Sequence, residues 1–368
     1  MEGKMKQAIL IGKGGPWEIR EVPIPKPGIN EVLIKMKTSS ICNQTDLNII
    51  RGLHPAHQDQ FAGMVPHHLR IWDKRIPDEL SDAYPKRPYA KEPYPAYMGH
   101  EGMGVVVEVG PCVKEEHGIL IGEDINFKPG DRVSFMAGRS SFAEYTLSST
   151  NVTAKVPDSV NDEEASLFEP VLAVYIGVIQ DVGLGDTVCI LGQGALGLIA
   201  TQLAKAMGAK KIIVSEPIKF KRDLAKKFGA DITIDPSTTN VVHEIEELTD
   251  GRGVEVVIEA AGVPETIRII PYIAGVGAHV GQIGACCVPV LVDWSYIHFK
   301  LLQVTAATHY VASRKLRPTF ERVFEIMSSG KIDLKSMITH RYYKLEDIEK
   351  AFKDVESGMV VKGMFIFE

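Results

Sequence analysis

Four residues far apart along the chain carry side chains that could share one metal ion: Cys42, His100, Glu101 and Glu169. Together they offer one thiolate, one imidazole and two carboxylates. That mixture of sulfur, nitrogen and oxygen suits Zn²⁺, which takes four such ligands in structural sites and three plus an exchangeable position in catalytic ones. Each residue also has an ordinary reading. A His–Glu neighbour pair arises by chance in partly exposed loops, Cys42 could be a small buried hydrophobe, and Glu169 ahead of Pro170 could be a carboxylate at a helix start. His100 and Glu101 sit in "YMGHEGMGVVVEVG", between glycines and just ahead of an apolar strand. Asp46, within "SSICNQTDLNIIRG", is a candidate acceptor that would orient the imidazole from behind.

A second constellation lies in "TVCILGQGALGLIATQLAKAMGA", where Gly192, Gly194 and Gly197 form G-x-G-x-x-G between a strand and a helix. The first glycine permits a tight turn, the second lets a pyrophosphate approach the backbone, and the third lets helix pack on strand. The N–H groups at the helix start, at Ala195 and Leu196, would face the phosphates. Glu216 follows Gly197 by 19 positions, at the end of the next strand. A carboxylate there accepts both ribose hydroxyls of NAD and repels the 2′-phosphate of NADP. Lys219, Lys221 and Arg222 work against that preference, since a cation nearby could accept a phosphate. Lys221 and Ala261, the latter in "VEVVIEAAG", complete the expected cofactor contacts.

The elements that must position these groups change character along the chain. Up to about residue 150, short β-like runs such as "EVLIKMKTSS", "GVVVEVG" and "FAEYTLSS" are separated by Gly and Pro, which reads as an irregular, mostly β domain. From about 185, buried strands alternate with amphipathic helices, the pattern of βαβ units and a parallel sheet. The expectation is an α/β protein with a mostly β domain over 1–160 and 310–368 and a doubly wound domain over 161–309. Segment 53–98 stands apart, with 7 of the 21 prolines and 4 of the 11 histidines. Its length and composition suggest a functional loop or small subdomain.

Composition narrows the classes of function. The chain has 368 residues, a net charge of −6 and no basic run, which argues against nucleic acid and anionic membrane as partners. No apolar stretch approaches the length of a membrane span, and the start lacks the features of a secretory signal. Five scattered cysteines make no disulfide framework, so a reducing cytoplasm is the expected location.

The order of the motifs "ICNQTDLNIIRG", "GHEGMGVVVEVG", "PGDRVSF", "FAEYTLSS", "EEASLFEPVLAV", "ILGQGALGLIATQLAKAMGA" and "VEVVIEAAG" resembles the zinc-dependent medium-chain dehydrogenase/reductases, which include alcohol and sorbitol dehydrogenases. The resemblance covers nearly the whole chain. It implies a GroES-like catalytic domain, a Rossmann domain, and a cleft between them holding zinc and nicotinamide. It further implies that Cys42 and His100 ligate zinc, that Glu101 and Glu169 are ligands or exchange with water, and that Glu169 stands where alcohol dehydrogenases often carry a second cysteine. Glutamate at that place resembles the polyol and sugar branch.

Three departures qualify the resemblance. The usual Cys-x-Ser/Thr-Asp spacing is stretched to Cys42-Asn43-Gln44-Thr45-Asp46, which puts in doubt Thr45 as the hydroxyl that relays the substrate proton. The four-cysteine structural-zinc lobe is missing after "PGDRVSF", so one zinc per chain is expected. Segment 53–98 is longer than the family pattern and would shape the substrate pocket. The implied activity is reversible NAD-dependent oxidation of a polyol, sugar derivative or secondary alcohol, with Thr45, Glu101 and Asp46 in catalytic roles. A zinc-free double-bond reductase and a non-catalytic NAD-binding sensor are the rivals. The run "LLQVTAATH", 301–309, reads as an edge strand, and apolar "CCVPVLVDW", 286–294, as a buried contact beside it, which together suggest a homodimer or homotetramer.

Overall fold

The computed structural model describes residues 3–52, 94–112, 115–116, 119–120, 126–136, 140–177, 179–306 and 316–368. Its first half is mostly short strands. These are β1 (Lys4–Leu10), β2 (Trp17–Pro23), β3 (Glu31–Ser40), β4 (Ala96–Tyr97), β5 (Glu101–Val109), a small hairpin of β6 (Glu115–Glu116) and β7 (Ile119–Leu120), β8 (Arg132–Met136), β9 (Tyr145–Ser149) and β10 (Thr153–Lys155). Helix α1 (Asn43–Ile50) interrupts them, and α2 (Asp162–Ala165) and α3 (Phe168–Gly177) come after. Strands and helices then alternate: β11 (Thr187–Leu191), α4 (Ala195–Met207), β12 (Lys211–Ser215), α5 (Lys219–Phe228), β13 (Ile232–Ile234), α6 (Val241–Leu248), β14 (Val254–Glu259), α7 (Pro264–Ile273), β15 (Ala274–Gln282), α8 (Trp294–Phe299) and β16 (Gln303–Ala306). The chain closes with α9 (Leu316–Ser328), β17 (Ile338–Tyr342), α10 (Ile348–Glu356) and β18 (Lys362–Ile366).

Two units result. The first comprises Met1–Glu169, Arg314–Ser328 and Leu334–Glu368; the second comprises Pro170–Ser313 and Ser329–Asp333. These limits differ from the expected 161 and 309. Residues 162–169 belong with the mostly β unit because α2 is bonded to its sheet. Thr38 Oγ1 donates to the Asp162 carbonyl, Ser134 Oγ donates to the Ala165 carbonyl, and the Arg132 guanidinium pairs with Asp162. The short return of 329–333 to the second unit is held by Asp333, whose N–H donates to Gln202 and whose carboxylate pairs with Lys227.

In the first unit a seven-stranded sheet runs β10-β8-β5-β3-β18-β17, with β9 also paired to β3, and a smaller sheet runs β2-β1-β4. The ten-residue β3 is its spine, pairing antiparallel with β5, β9 and β18. Its register sets Ser40 opposite Glu101 on one side and Met364 on the other. The metal candidates are thereby tied to the centre of the sheet. Phe142, Phe352 and Phe365 pack edge to face in one core beneath it, and Phe135, Met36 and Val106 fill another.

The second unit is one parallel sheet in the order β13-β12-β11-β14-β15-β16, which within the unit reads third, second, first, fourth, fifth, sixth. That is the doubly wound Rossmann order. The alternation along β11 explains its continuous apolar run: Cys189 and Leu191 face the α6–α7 layer, while Val188 and Ile190 are buried on the other side. Burial pushes the Cys189 thiol up to about 12, so this cysteine is an inert core residue.

The expected insert 53–98 lies outside the described residues up to 93. Its last residues, 94–98, are part of the fold: Ala96–Tyr97 pair with β1, and the Tyr94 hydroxyl donates to the Ile49 carbonyl at 2.6 Å. Of the expected edge strand, 303–306 forms β16 at one edge of the sheet, while 307–309 fall outside the described residues. The neighbouring apolar run is not buried in the chain: Leu291 is 84% exposed and Trp294 71%. Among the described residues no helix is long and apolar enough to cross a membrane.

Candidate metal centre and cofactor loop

Cys42, His100 and Glu101 come together: one ligand atom from each lies within 4.8 Å of the others. Cys42 is the N-cap of α1, but its side chain makes no capping bond, so the thiol is left for other partners. His100 follows Gly99, whose backbone is left-handed (φ +89°) and packs so tightly on Ser141 that a Cβ would come within 2.3 Å of its hydroxyl. Only glycine makes that turn here, which accounts for the Gly before the histidine. Glu101 opens β5 and is buried.

The stretched Cys-to-Asp spacing is absorbed by the helix. Four positions make one helical turn, so Asp46 N–H donates to the Cys42 carbonyl at 3.0 Å. Asp46 Oδ2 in turn accepts the Cys42 N–H at 3.0 Å. Its other oxygen has no hydrogen-bond partner and lies 3.8 Å from His100 Nδ1. Burial pushes the Asp46 carboxyl up to about 6, against the pull of His100. Thr45 is half-buried on the same helix.

Charge is concentrated around the imidazole. Burial disfavours its cation, yet Cys42, Asp46 and Glu169 together hold the His100 pKa well above the ordinary histidine value. A cation at the centre would meet the same negative surroundings. These residues suit a zinc ion: a thiol, an imidazole and a carboxylate with ligand atoms within 4.8 Å of one another, and an unpaired buried oxygen behind the ring. Glu169, 8% exposed in the first turn of α3, stands outside the close trio but acts on His100 through its charge.

The buried polar groups around Glu101 were not anticipated. Its Oε2 accepts from Lys362 Nζ and from Ser40 Oγ. Burial opposes both charges, but each partner stabilises the other, so the Glu101 pKa is lowered and that of Lys362 raised. The signal was present in the closing run "VVKGMFIFE", where one lysine interrupts apolar residues.

In the second unit the glycine loop joins β11 to α4 as expected. A Cβ on Gly197 would lie 2.0 Å from the Gly192 carbonyl oxygen, and one on Gly192 (φ +92°) would lie 2.8 Å from Ala261. Both are therefore needed for strand, helix and the Ala261 turn to close up. At Gly194, the N-cap of α4, a Cβ would meet nothing within 4 Å. Open space in front of a helix N-terminus is where a pyrophosphate fits. The first N–H to donate back into the helix is that of Leu198, to Gly194 O, so those of Ala195, Leu196 and Gly197 have no helical acceptor.

Glu216 is held from both sides: Oε2 accepts the Gln193 N–H at 2.7 Å and Oε1 the Ile218 N–H at 3.0 Å. Of the nearby cations, Arg222 is engaged with the Glu216 and Pro217 carbonyls and with Asp235, and Lys219 with Asp223. Lys221 is buried, which lowers its pKa against the opposing pull of Glu216.

Comparison with known proteins identifies the family. Residues 28–158 match the alcohol dehydrogenase GroES-like domain, and 195–329 match the zinc-binding dehydrogenase domain. The L-threonine 3-dehydrogenase of Pyrococcus horikoshii is 31% identical over 100% of both chains, and that of Pyrococcus furiosus 33% identical over 95% of both. Among solved structures, 2R,3R-butanediol dehydrogenase from Bacillus subtilis superposes with a TM-score of 0.72 at 25% identity, covering 98% of this chain and 99% of that one. A putative zinc-binding dehydrogenase from Sinorhizobium meliloti, bound to NADP, reaches 0.75 at 26% identity, covering 99% of each chain. Two domain matches in the right order and full-length relatives above 30% identity place the chain in the zinc-dependent medium-chain dehydrogenase/reductase family, oxidoreductases that act on alcohols with zinc and a nicotinamide dinucleotide.

Proposed function

We propose that this chain oxidises a secondary alcohol borne by a small polar molecule, with a β-hydroxy amino acid of the threonine type the leading substrate and NAD the preferred acceptor. The observation that carries the reading is the meeting of Cys42, His100 and Glu101 within one unit, in a chain whose full-length relatives are threonine dehydrogenases. The hydroxyl on carbon 3 of threonine is a secondary alcohol, as are those of 2,3-butanediol. Polyols and sugar derivatives therefore rank behind simpler secondary alcohols.

Cys42, His100 and Glu169 would hold one zinc, with Glu101 close enough to exchange. Bound zinc supplies Lewis acidity that lowers the pKa of a substrate hydroxyl, and bound nicotinamide accepts the hydride. The protein's own residues orient and move protons. Asp46, with a free oxygen behind the ring, steadies His100. Thr45 is proposed as the first proton acceptor. At the cofactor loop, Ala195, Leu196 and Gly197 present backbone N–H groups without a helical acceptor to the pyrophosphate, in the open space at Gly194, with Lys221 and Ala261 alongside. Glu216 receives the ribose hydroxyls with its carboxylate already oriented by two backbone amides. With Arg222 engaged elsewhere, little is left to neutralise a 2′-phosphate, which favours NAD.

The same reading makes the protein at least a homodimer. Among the described residues no strand pairs with the outer edge of β16, and Leu291, Trp294, Phe299, Leu301 and Val304, within 291–304, are all more than half exposed. The deciding experiment is a substrate panel (L-threonine, L-serine, 2,3-butanediol, sorbitol) followed by NADH absorbance. Turnover of sorbitol in preference to L-threonine and butanediol would overturn the substrate assignment.

A further inference from the structure

The closing strand carries a lysine to which the proposed chemistry gives no part. Lys362 is 2% exposed. Its ammonium donates to the Ile41 carbonyl at 3.0 Å and to Glu101 Oε2, the oxygen that also accepts from Ser40 Oγ. Two donors thus occupy Oε2. Oε1 is the oxygen turned to the imidazole, 4.0 Å from His100 Nε2.

The same stretch of chain grips both neighbours of Cys42. The Ile41 N–H donates to the Gly363 carbonyl at 2.9 Å. Asn43 Nδ2 donates to the carbonyls of Val360 and Val361, at 3.0 and 3.2 Å. Residues 360–363 therefore fix the thiol and the carboxylate together.

A buried cation so near a metal centre repels the metal, because charges interact strongly where water is excluded. It also costs free energy to bury. With Oε2 engaged by both Lys362 and Ser40, bringing both Glu101 oxygens onto an ion would require breaking those bonds. We propose that Lys362 is a positioning residue that holds Glu101 Oε2 back from the metal and so keeps one ligand position open for substrate. This rests on the assignment of Cys42 and His100 as metal ligands.

The sign of one measurement separates this role from a purely structural one. In the Co²⁺-loaded full chain, Lys362→Met releases Glu101, which closes onto the ion. Metal loss to a chelator is expected to slow by about tenfold, within the range seen for groups that orient metal ligands. The cobalt visible spectrum is expected to shift as a carboxylate enters. Lys362→Arg, which keeps the charge, should retain the wild-type rate and spectrum. A structural role predicts the opposite for Lys362→Met, faster metal loss, and that result or an unchanged rate and spectrum overturns the proposal. If Lys362→Met does not fold, the double variant Lys362→Met/Glu101→Gln carries the test, since it removes both buried charges. Its spectrum should show no added carboxylate and its rate should lie within about twofold of wild type, because the two residues act as a coupled pair and without the Glu101 carboxylate the lost ammonium releases nothing; metal loss faster than that overturns the proposal. If Cys42→Ser leaves the thiolate-to-cobalt absorption intact, the ligand assignment fails and this proposal with it.

Discussion

The metal centre and the cofactor loop solve the same problem, holding a group in place, in opposite ways. The loop works with backbone atoms from one short stretch: Gly192, Gly194 and Gly197 lie within six residues, and the helix they start provides the N–H groups. The metal centre works with side chains from residues 40, 42, 46, 100, 101 and 362, brought together by three strands in register and one helical turn. A site made of local backbone tolerates changes of side chain but not of glycine. A site made of distant side chains depends on every strand that delivers one.

The largest effect should come from breaking the side-chain site. Cys42→Ser or His100→Ala is expected to lose zinc and cut kcat/KM by about a thousandfold or more, because the lost Lewis acidity contributes several kcal/mol. Elemental analysis and kinetics together test this, and a metal-free variant of full activity would refute the ligand assignment. A chelator applied to the wild-type protein should act in the same direction, with restoration by added Zn²⁺.

The glycines separate packing from cofactor contact. Gly197→Ala should lower Tm, because its Cβ would sit 2.0 Å from a backbone oxygen that cannot move freely. Gly194→Ala meets no protein atom, so Tm should hold while the Kd for NADH rises about tenfold, the methyl occupying the space of a phosphate. Equal Tm losses in the two variants, with unchanged NADH affinity, would show that the open space at Gly194 is not a cofactor site. Thermal unfolding and NADH fluorescence read the two quantities independently.

A smaller shift is expected at Glu216. Removing the carboxylate in Glu216→Ala takes away about 1–3 kcal/mol of hydrogen bonding and repulsion. The preference for NAD over NADP in kcat/KM should narrow by about tenfold. A wild-type protein that prefers NADP would contradict the role given to this residue.

The smallest effect on turnover is expected at the sheet edge. Leu291→Asp or Val304→Asp places a charge in an exposed apolar patch and should weaken self-association with little change in kcat. Light scattering is the check, and a wild-type mass near 40 kDa would show that nothing covers this patch.

The contrast between the regions is also a contrast in what could be read before folding. The Rossmann unit announces itself because its determinants are local: an apolar run for a doubly covered strand, three glycines at fixed offsets, and an acid after the second strand. Gly197 had to be glycine for a contact five residues away, and such a contact is written into the spacing. The metal candidates were nameable from residue type and motif, and the helical turn reconciles the odd spacing of Cys42 and Asp46. Their partners were not. Nothing near residue 101 says that its carboxylate will meet Lys362, because that pairing depends on β18 lying beside β3 and β3 beside β5. Sequence patterns record which face of an element is apolar and where a turn must fall. They do not record which buried charge will neutralise which, since that is decided by strand order and register between residues 261 positions apart.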